Sequence, residues 1–199
     1  MTVTIGLTGS IATGKTTVST MFRELNIPVV DADLIAREVV EIGKPAYKEL
    51  IAYFGEEILE SNKKINRKKL GAIVFSKESE RKKLNEIMHP AIRKEMLRQK
   101  EMHVENKERC IVLDIPLLFE SNLFHFVDQV LVVYTDETTQ LERLIERDQS
   151  TEKEALQRIQ SQISVKEKAE KADKVIDNSG SIDETYKQLK AYLQKLNII

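Results

Sequence analysis

The chain predicts an α/β fold, a parallel five-stranded sheet covered by helices on both faces. Three observations carry that prediction. Short apolar runs recur at five places and are separated by stretches of helical periodicity. Two of the runs, within Cys110–Asp114 and Val127–Tyr134, lack alternation, as strands buried on both faces of a parallel sheet do. A glycine-containing turn follows the first run, at the carboxyl end of a strand, where open α/β sheets place their ligands.

Each element has its own warrant. Val3–Leu7 is the first strand, and Thr17–Leu25 is a helix with Val18, Met21, Phe22 and Leu25 on one face. Ile27–Asp31 is a short second strand, and Asp33 opens a helix through Val40. From Pro45 to about His103 there is almost no strand signal. Helices are predicted there over Pro45–Phe54, Arg67–Val74, Lys77–Met88 and Pro90–Val104, with His89 as the cap and Pro90 as the first residue of the last. After the strands Cys110–Asp114 and Val127–Tyr134 comes a helix over Asp136–Arg147, with Leu141, Leu144 and Ile145 inward. Asp148–Ala172 is charge-rich and helical, interrupted near Ile163–Ser164. Lys174–Asn178 is the last strand, and Asp183 caps a helix with Tyr186, Leu189, Tyr192 and Leu193 on one face. The strand ends carry Gly9, Asp31, Asp114, Thr135 and Asn178.

The turn after the first strand reads Gly9-Ser10-Ile11-Ala12-Thr13-Gly14-Lys15-Thr16-Thr17, which contains the G-x-x-x-x-G-K-[ST] pattern of a phosphate-binding loop. Its two glycines let the backbone turn tightly and approach an anion without a Cβ in the way. The N–H groups between them cradle phosphate oxygens, and the following helix adds its positive end. Lys15 reaches the β- and γ-phosphates, and the Thr16 hydroxyl can ligate Mg²⁺. Strand, loop and helix in this order is the context that such a motif requires.

Composition narrows the classes. Of 199 residues, 41% are hydrophobic and 32% charged, and the net charge is −1, so no global basic field exists to hold nucleic acid. The single cysteine, Cys110, excludes an internal disulfide and a cysteine-based metal cluster. No stretch reaches 18 apolar residues, and the chain enters a strand without the basic start of a signal peptide, so a cytoplasmic protein without a membrane span is expected. No obligate protein partner is predicted.

Several groups could serve an anionic ligand. Asp31 and Asp33 follow the second strand, where a carboxylate could accept a proton from an attacking hydroxyl or hold Mg²⁺ through water; Asp33 could equally be a helix cap. Asp114 ends an apolar strand, the place of a metal-holding acid. The next residues, Ile115-Pro116-Leu117-Leu118-Phe119-Glu120, make either core or one wall of a substrate slot. Arg143 and Arg147 lie on one helical face, with Arg158 on the next helix, and guanidinium groups there could stabilise transferring phosphoryl charge. The run from Lys166 to Lys174, broken by Glu167 and Glu170, reads as a solvated helix face.

Together the glycine-rich loop, Val30-Asp31-Ala32-Asp33-Leu34, His89-Pro90, Asp114-Ile115-Pro116-Leu117-Leu118-Phe119-Glu120 and Asp177-Asn178-Ser179-Gly180 resemble dephospho-CoA kinase along essentially the whole chain. The resemblance implies ATP-dependent phosphorylation of the ribose 3′-hydroxyl of dephospho-CoA, the last step of coenzyme A synthesis, with ATP and Mg²⁺ required. It implies a P-loop NTPase core like that of nucleoside monophosphate kinases, with strand order 2-3-1-4-5. Within one kinase domain over 1–199, the core then covers about 1–44, 107–147 and 173–199. A helical CoA-binding insertion covers about 45–106 and a lid about 148–163. By the same resemblance Asp33 is the base. Lys15 and Arg147 act on the transferring phosphate, with Arg143 beside them. Residues 9–17 and Asn178 hold ATP, with the Asn178 loop near its base. Thr16 and Asp114 hold the metal. Asp33, His89, Arg93, Leu117, Leu118 and Glu120 face the acceptor. One departure is visible: the family's loop usually carries more glycine where this chain has Ser10, Ala12 and Thr13. Two rivals are weaker. A nucleoside monophosphate kinase would not need the D-x-P-L-L-x-E segment, and a GTP switch would need an N-K-x-D segment that this chain lacks.

Overall fold

The computed structural model describes residues 2–199. The elements run β1 (Val3–Gly9), α1 (Lys15–Glu24), β2 (Val29–Asp31), α2 (Ala32–Glu38), α3 (Pro45–Phe54), α4 (Arg67–Ser76), α5 (Glu78–Glu105), β3 (Cys110–Asp114), β4 (Gln129–Tyr134), α6 (Glu137–Asp148), α7 (Glu152–Gln160), α8 (Val165–Glu170), β5 (Lys174–Asp177) and α9 (Ile182–Lys195). They group into two compact units, the chain up to Val30 with Met102–Ile199, and Asp31–Glu101.

The five strands form one parallel sheet in the order β2-β3-β1-β4-β5. β1 is central: Ile5 lies opposite Val112 on one side and Gln129 on the other, and Val133 of β4 lies opposite Ile176 of β5. β1 is buried from Thr4 to Gly9 and β3 along its whole length, which is why neither alternates in sequence. Val18, Met21 and Phe22 of α1 and Leu189, Tyr192 and Leu193 of α9 share one core cluster with Ile5, Leu7, Leu131 and Ile176. Phe22 is fully buried, so truncating it to alanine would cost about 3–5 kcal/mol. This core fixes the end of β1, and therefore the start of the glycine-rich loop.

The unit Asp31–Glu101 has its own core of Ala46, Leu50, Phe54, Ile58, Leu70, Val74 and Ile87. Here the structure corrects an expectation. Instead of two helices parted at His89-Pro90, α5 runs unbroken for 28 residues with Pro90 inside it. Leu84, Ile87, Met88 and Ala91 form an i, i+3, i+4, i+7 stripe on the core across the proline, and this packing outweighs the local cost. Two caps also differ. Ser181, not Asp183, caps α9, in a reciprocal box with Glu184, because its hydroxyl reaches the Glu184 N–H. Asp31, not Asp33, caps α2, accepting from the Asp33 and Leu34 N–H groups at 2.9 and 3.0 Å.

The interior proline leaves the Glu86 carbonyl without its usual N–H four residues on. Pro90→Ala is therefore expected to stabilise the protein by about 1–3 kcal/mol, read as a rise in Tm. A lower Tm would mean that the proline ring contributes more by packing than the missing hydrogen bond costs.

Candidate active site

The loop between β1 and α1 is held in the shape that an anion needs. Gly14 has φ 91°, and a Cβ there would lie 1.9 Å from the Asn178 amide nitrogen, so only glycine fits. At Gly9 a Cβ would come within 2.6 Å of the Thr13 hydroxyl. Ala12 adopts φ 62°, a left-handed conformation that costs a residue with a Cβ about 1–2 kcal/mol. The N–H groups of Ala12, Gly14, Lys15 and Thr16 have no hydrogen-bond partner among the described residues. They sit where α1 begins, so partial positive charge converges there.

The groups around them are all engaged. The Asn178 amide donates to the Thr13 carbonyl at 2.9 Å and accepts from the Thr185 hydroxyl at 2.9 Å. The peptide of Ile11 is gripped on both sides: its N–H donates to the Gln162 side chain at 2.8 Å, and its carbonyl accepts from the buried Gln140 amide at 2.7 Å. The Ser10 hydroxyl donates to the Ile163 carbonyl at 3.0 Å, and the Thr13 hydroxyl to the Ser10 carbonyl at 2.9 Å. Lys168 Nζ donates to the Gly9 carbonyl at 3.0 Å and pairs with Glu120 at 2.8 Å.

Lys15 Nζ donates to the Asp114 carboxylate at the end of β3, so the loop lysine and the strand-end acid meet. Asp114 is 2% exposed, and its burial keeps the charge of Lys15 close to the loop. Thr16 is exposed at the first turn of α1. A cleft of about 690 Å³ opens along Thr16, Thr17, Ile182 and Tyr186. Arg147 and Arg158 converge on one carboxylate, Asp148: Arg147 Nε and Nη2 donate at 2.8 and 3.1 Å, and Arg158 donates to the second oxygen. The Arg147 hydrogen bond, reinforced by Arg158, holds the Asp148 carboxyl down to about 2, and Asp148 in turn raises the Arg147 guanidinium. Arg143 is half-buried one turn earlier.

The D-x-P-L-L-x-E residues divide. Leu118 is fully buried, and a Cβ on Gly6 would lie 2.6 Å from its Cδ1, so it packs beneath β1. Leu117 is 45% exposed. Glu120 is the counterion of Lys168.

In the unit Asp31–Glu101, the capping role of Asp31 leaves Asp33 exposed, with no side-chain partner among the described residues. His89 and Arg93 lie one turn apart on α5 and line one shallow depression with Lys82 and Glu86. Partial burial first, then the Arg93 charge, lowers the His89 pKa from 6.5, so the imidazole is neutral at pH 7. A different face of α5 lines a cavity of about 440 Å³, with Val39, Ile87 and Ala91 as its apolar wall and Lys44, Lys94 and Arg98 among its charged residues.

Sequence reasoning did not find Gln140, Gln162 or Lys168. Lys168 contradicts the solvated-face expectation for its run: its side chain has no exposure at all. The signal was spacing, since Lys168 shares the i, i+3, i+4 face of Val165 and Ala169. The glutamines carried no such signal.

The Asn178 brace generates an expectation. Asn178→Ala leaves the buried Thr13 carbonyl unpaired, so stability should fall by about 1–3 kcal/mol and the Kd for ATP should rise roughly tenfold as the loop loses its order. Calorimetric titration measures the second effect; an unchanged Kd would show that the brace does not order the loop.

The dephospho-CoA kinase family model matches residues 3–184. A dephospho-CoA kinase of Oceanobacillus iheyensis is 57% identical over 198 residues, covering all of both chains. The solved dephospho-CoA kinase of Campylobacter jejuni is 31% identical with a TM-score of 0.75, and a solved Thermus thermophilus protein is 30% identical with a TM-score of 0.83; each covers 98% of both chains. With a phosphate-binding loop, a strand-end acid against its lysine and relatives matching from end to end, the chain belongs to the dephospho-CoA kinase family.

Proposed function

We propose that the chain carries out its family's reaction, transfer of the γ-phosphoryl of ATP to the ribose 3′-hydroxyl of dephospho-CoA, with the residues above in named roles. The observation that carries this reading is the set of four unpaired N–H groups beside the Lys15–Asp114 pair. The amides of the loop hold the phosphates, and Lys15 turns from Asp114 to the charge that develops on the moving phosphoryl group. Thr16 and Asp114 are the residues that would hold Mg²⁺. Among the described residues no three His, Cys, Asp or Glu side chains cluster as a metal cage. A Mg²⁺ ion here would therefore take most of its ligands from phosphate oxygens and water, as that ion commonly does. Bound there, it would neutralise phosphate charge.

Asp33 takes the proton of the attacking hydroxyl, or orients that hydroxyl if the transition state is loose. Its support is the division of labour at α2: Asp31 does the capping, so the Asp33 carboxylate is uncommitted. His89 and Arg93 are acceptor-side groups. The cavity beside them on α5 has an apolar wall that suits the apolar arm of the acceptor, and its rim balances Lys44, Lys94 and Arg98 against Glu38, Glu49 and Glu95. Arg143, Arg147 and Arg158 belong to the phosphate side. Asp148 holds two of them in reserve, and the segment from Asp148 to about Ile163 is the lid that closes over ATP and excludes water. Asn178 supports the nucleotide by bracing the loop. The reaction uses small molecules, and we expect a cytoplasmic setting with neither a nucleic-acid nor a membrane partner; the near-neutral net charge offers no basic field for nucleic acid.

The test is ADP release with ATP, Mg²⁺ and dephospho-CoA, run beside adenosine, AMP and CMP. Turnover confined to dephospho-CoA is expected, and ADP formed with AMP or CMP instead would overturn the reading. In the same assay Asp33→Asn should bind ATP nearly normally by calorimetry and lose about 10²–10⁴-fold in kcat. Turnover within threefold of the parent would leave Asp33 without a catalytic role.

A further inference from the structure

Lys168 is a cation without solvent exposure, in a helix otherwise covered with exposed charge. A buried ammonium is tolerated only where acceptors surround it, and a residue of similar length without charge would fill the same space at less desolvation cost. The acceptors here are not local. Lys168 Nζ donates to the carbonyl of Gly9, the first residue of the phosphate-binding loop, at 3.0 Å, and to Glu120 Oε1 at 2.8 Å. The same Glu120 oxygen accepts the Ile163 N–H at 3.2 Å. The Ile163 carbonyl accepts from the hydroxyl of Ser10, the next residue of the loop, at 3.0 Å. The bonds therefore close a ring: Gly9, Lys168, Glu120, Ile163, Ser10 and back to Gly9.

We propose that Lys168 is a positioning residue for phosphoryl transfer, fixing the entry of the phosphate-binding loop and joining it to the turn that ends α7. The ring meets the loop at Gly9 and Ser10 and uses none of the four unpaired amides, so it can set where those amides stand without occupying them. There is little room for adjustment, since Gly9 is already packed against the Thr13 hydroxyl and the Val133 carbonyl. The ring also ties the loop to the turn after Arg158, whose guanidinium shares Asp148 with Arg147. Glu120 is thereby committed to Lys168 and Ile163. Misplacement of a phosphate cradle by a fraction of an ångström weakens transfer more than it weakens binding, because the reacting geometry is the more demanding of the two.

The inference rests on the kinase reading, and its test separates the two. Lys168→Met keeps the length and removes the ammonium. It is expected to lower kcat with dephospho-CoA by about 10- to 100-fold per folded molecule, with the calorimetric Kd for ATP within about threefold. The double variant Lys168→Met/Glu120→Gln removes the stranded carboxylate as well, and carries the test if the single variant does not fold. Its Tm should return toward the parent while kcat stays low, because Gly9 is still unheld. Recovery of kcat together with Tm would overturn the proposal, leaving Lys168 as packing alone; so would a kcat in the single variant within threefold of the parent. Slow ATP hydrolysis, which needs the loop but no acceptor, is scored on the same proteins. A parent that hydrolyses ATP but ignores dephospho-CoA would refute the acceptor assignment, and the hydrolysis rates of the variants would still decide the role of Lys168.

Discussion

An anion cradle must keep its donors unpaired until the anion arrives. A loop of free N–H groups tends to collapse onto whatever acceptor is near, because an unmade hydrogen bond costs about 1–3 kcal/mol when the group is shielded from water. Much of this molecule prevents that collapse. Thr13, Ile11, Ser10 and Gly9 are each held by a side chain or backbone group more than a hundred residues away, from α6, the turn after α7, α8 and the end of β5. Those braces meet at one place because β1 lies in the middle of the sheet, with β4 and then β5 on one side of it. The strand order is thus a condition of the loop's geometry, and the loop's geometry is a condition of phosphate binding.

The same logic governs charge. Lys15 rests on Asp114, and Arg147 and Arg158 rest on Asp148. Each pairing limits self-repulsion among the cations and, in the roles proposed for them, keeps each near the phosphates. The Asp148 pairs are partly exposed and contribute little to stability, which suits the exchange of partners proposed for Arg147 and Arg158. Lys168 is the opposite case: wholly buried and ringed by acceptors, it is structure rather than reserve.

Much of this was legible in the sequence. The loop motif, the two fully apolar strands and the amphipathic helices state the fold because they are local patterns with a single period. Asp33 and Lys15 stood out because motif and position coincided. The rest was hidden for identifiable reasons. Pro90 reads as a helix start by local rules, and only the stripe from Leu84 to Ala91 packed on a core shows why α5 continues through it. Asp31 and Asp33 compete for one capping position two residues apart, and the backbone decides between them. Gln140 and Gln162 act on Ile11 from 129 and 151 residues away, a relation that no local pattern encodes, and the sequence names Asn178 for the nucleotide but not its bond to Thr13, 165 residues distant. Lys168 looked like one more surface charge because its acceptors lie on β1 and on the loop after β3.

If the cradle is formed before ATP binds, amide hydrogen exchange resolved to single residues of the loop will show it. In the ATP-free protein the Ile11 amide, bonded to Gln162, should exchange slowly while the amides of Ala12, Gly14, Lys15 and Thr16 exchange fast. Addition of ATP should slow those four and leave Ile11 nearly unchanged. Uniformly fast exchange across Gly9–Thr16 without ATP, with Ile11 gaining protection only on binding, would mean that ATP itself builds the cradle.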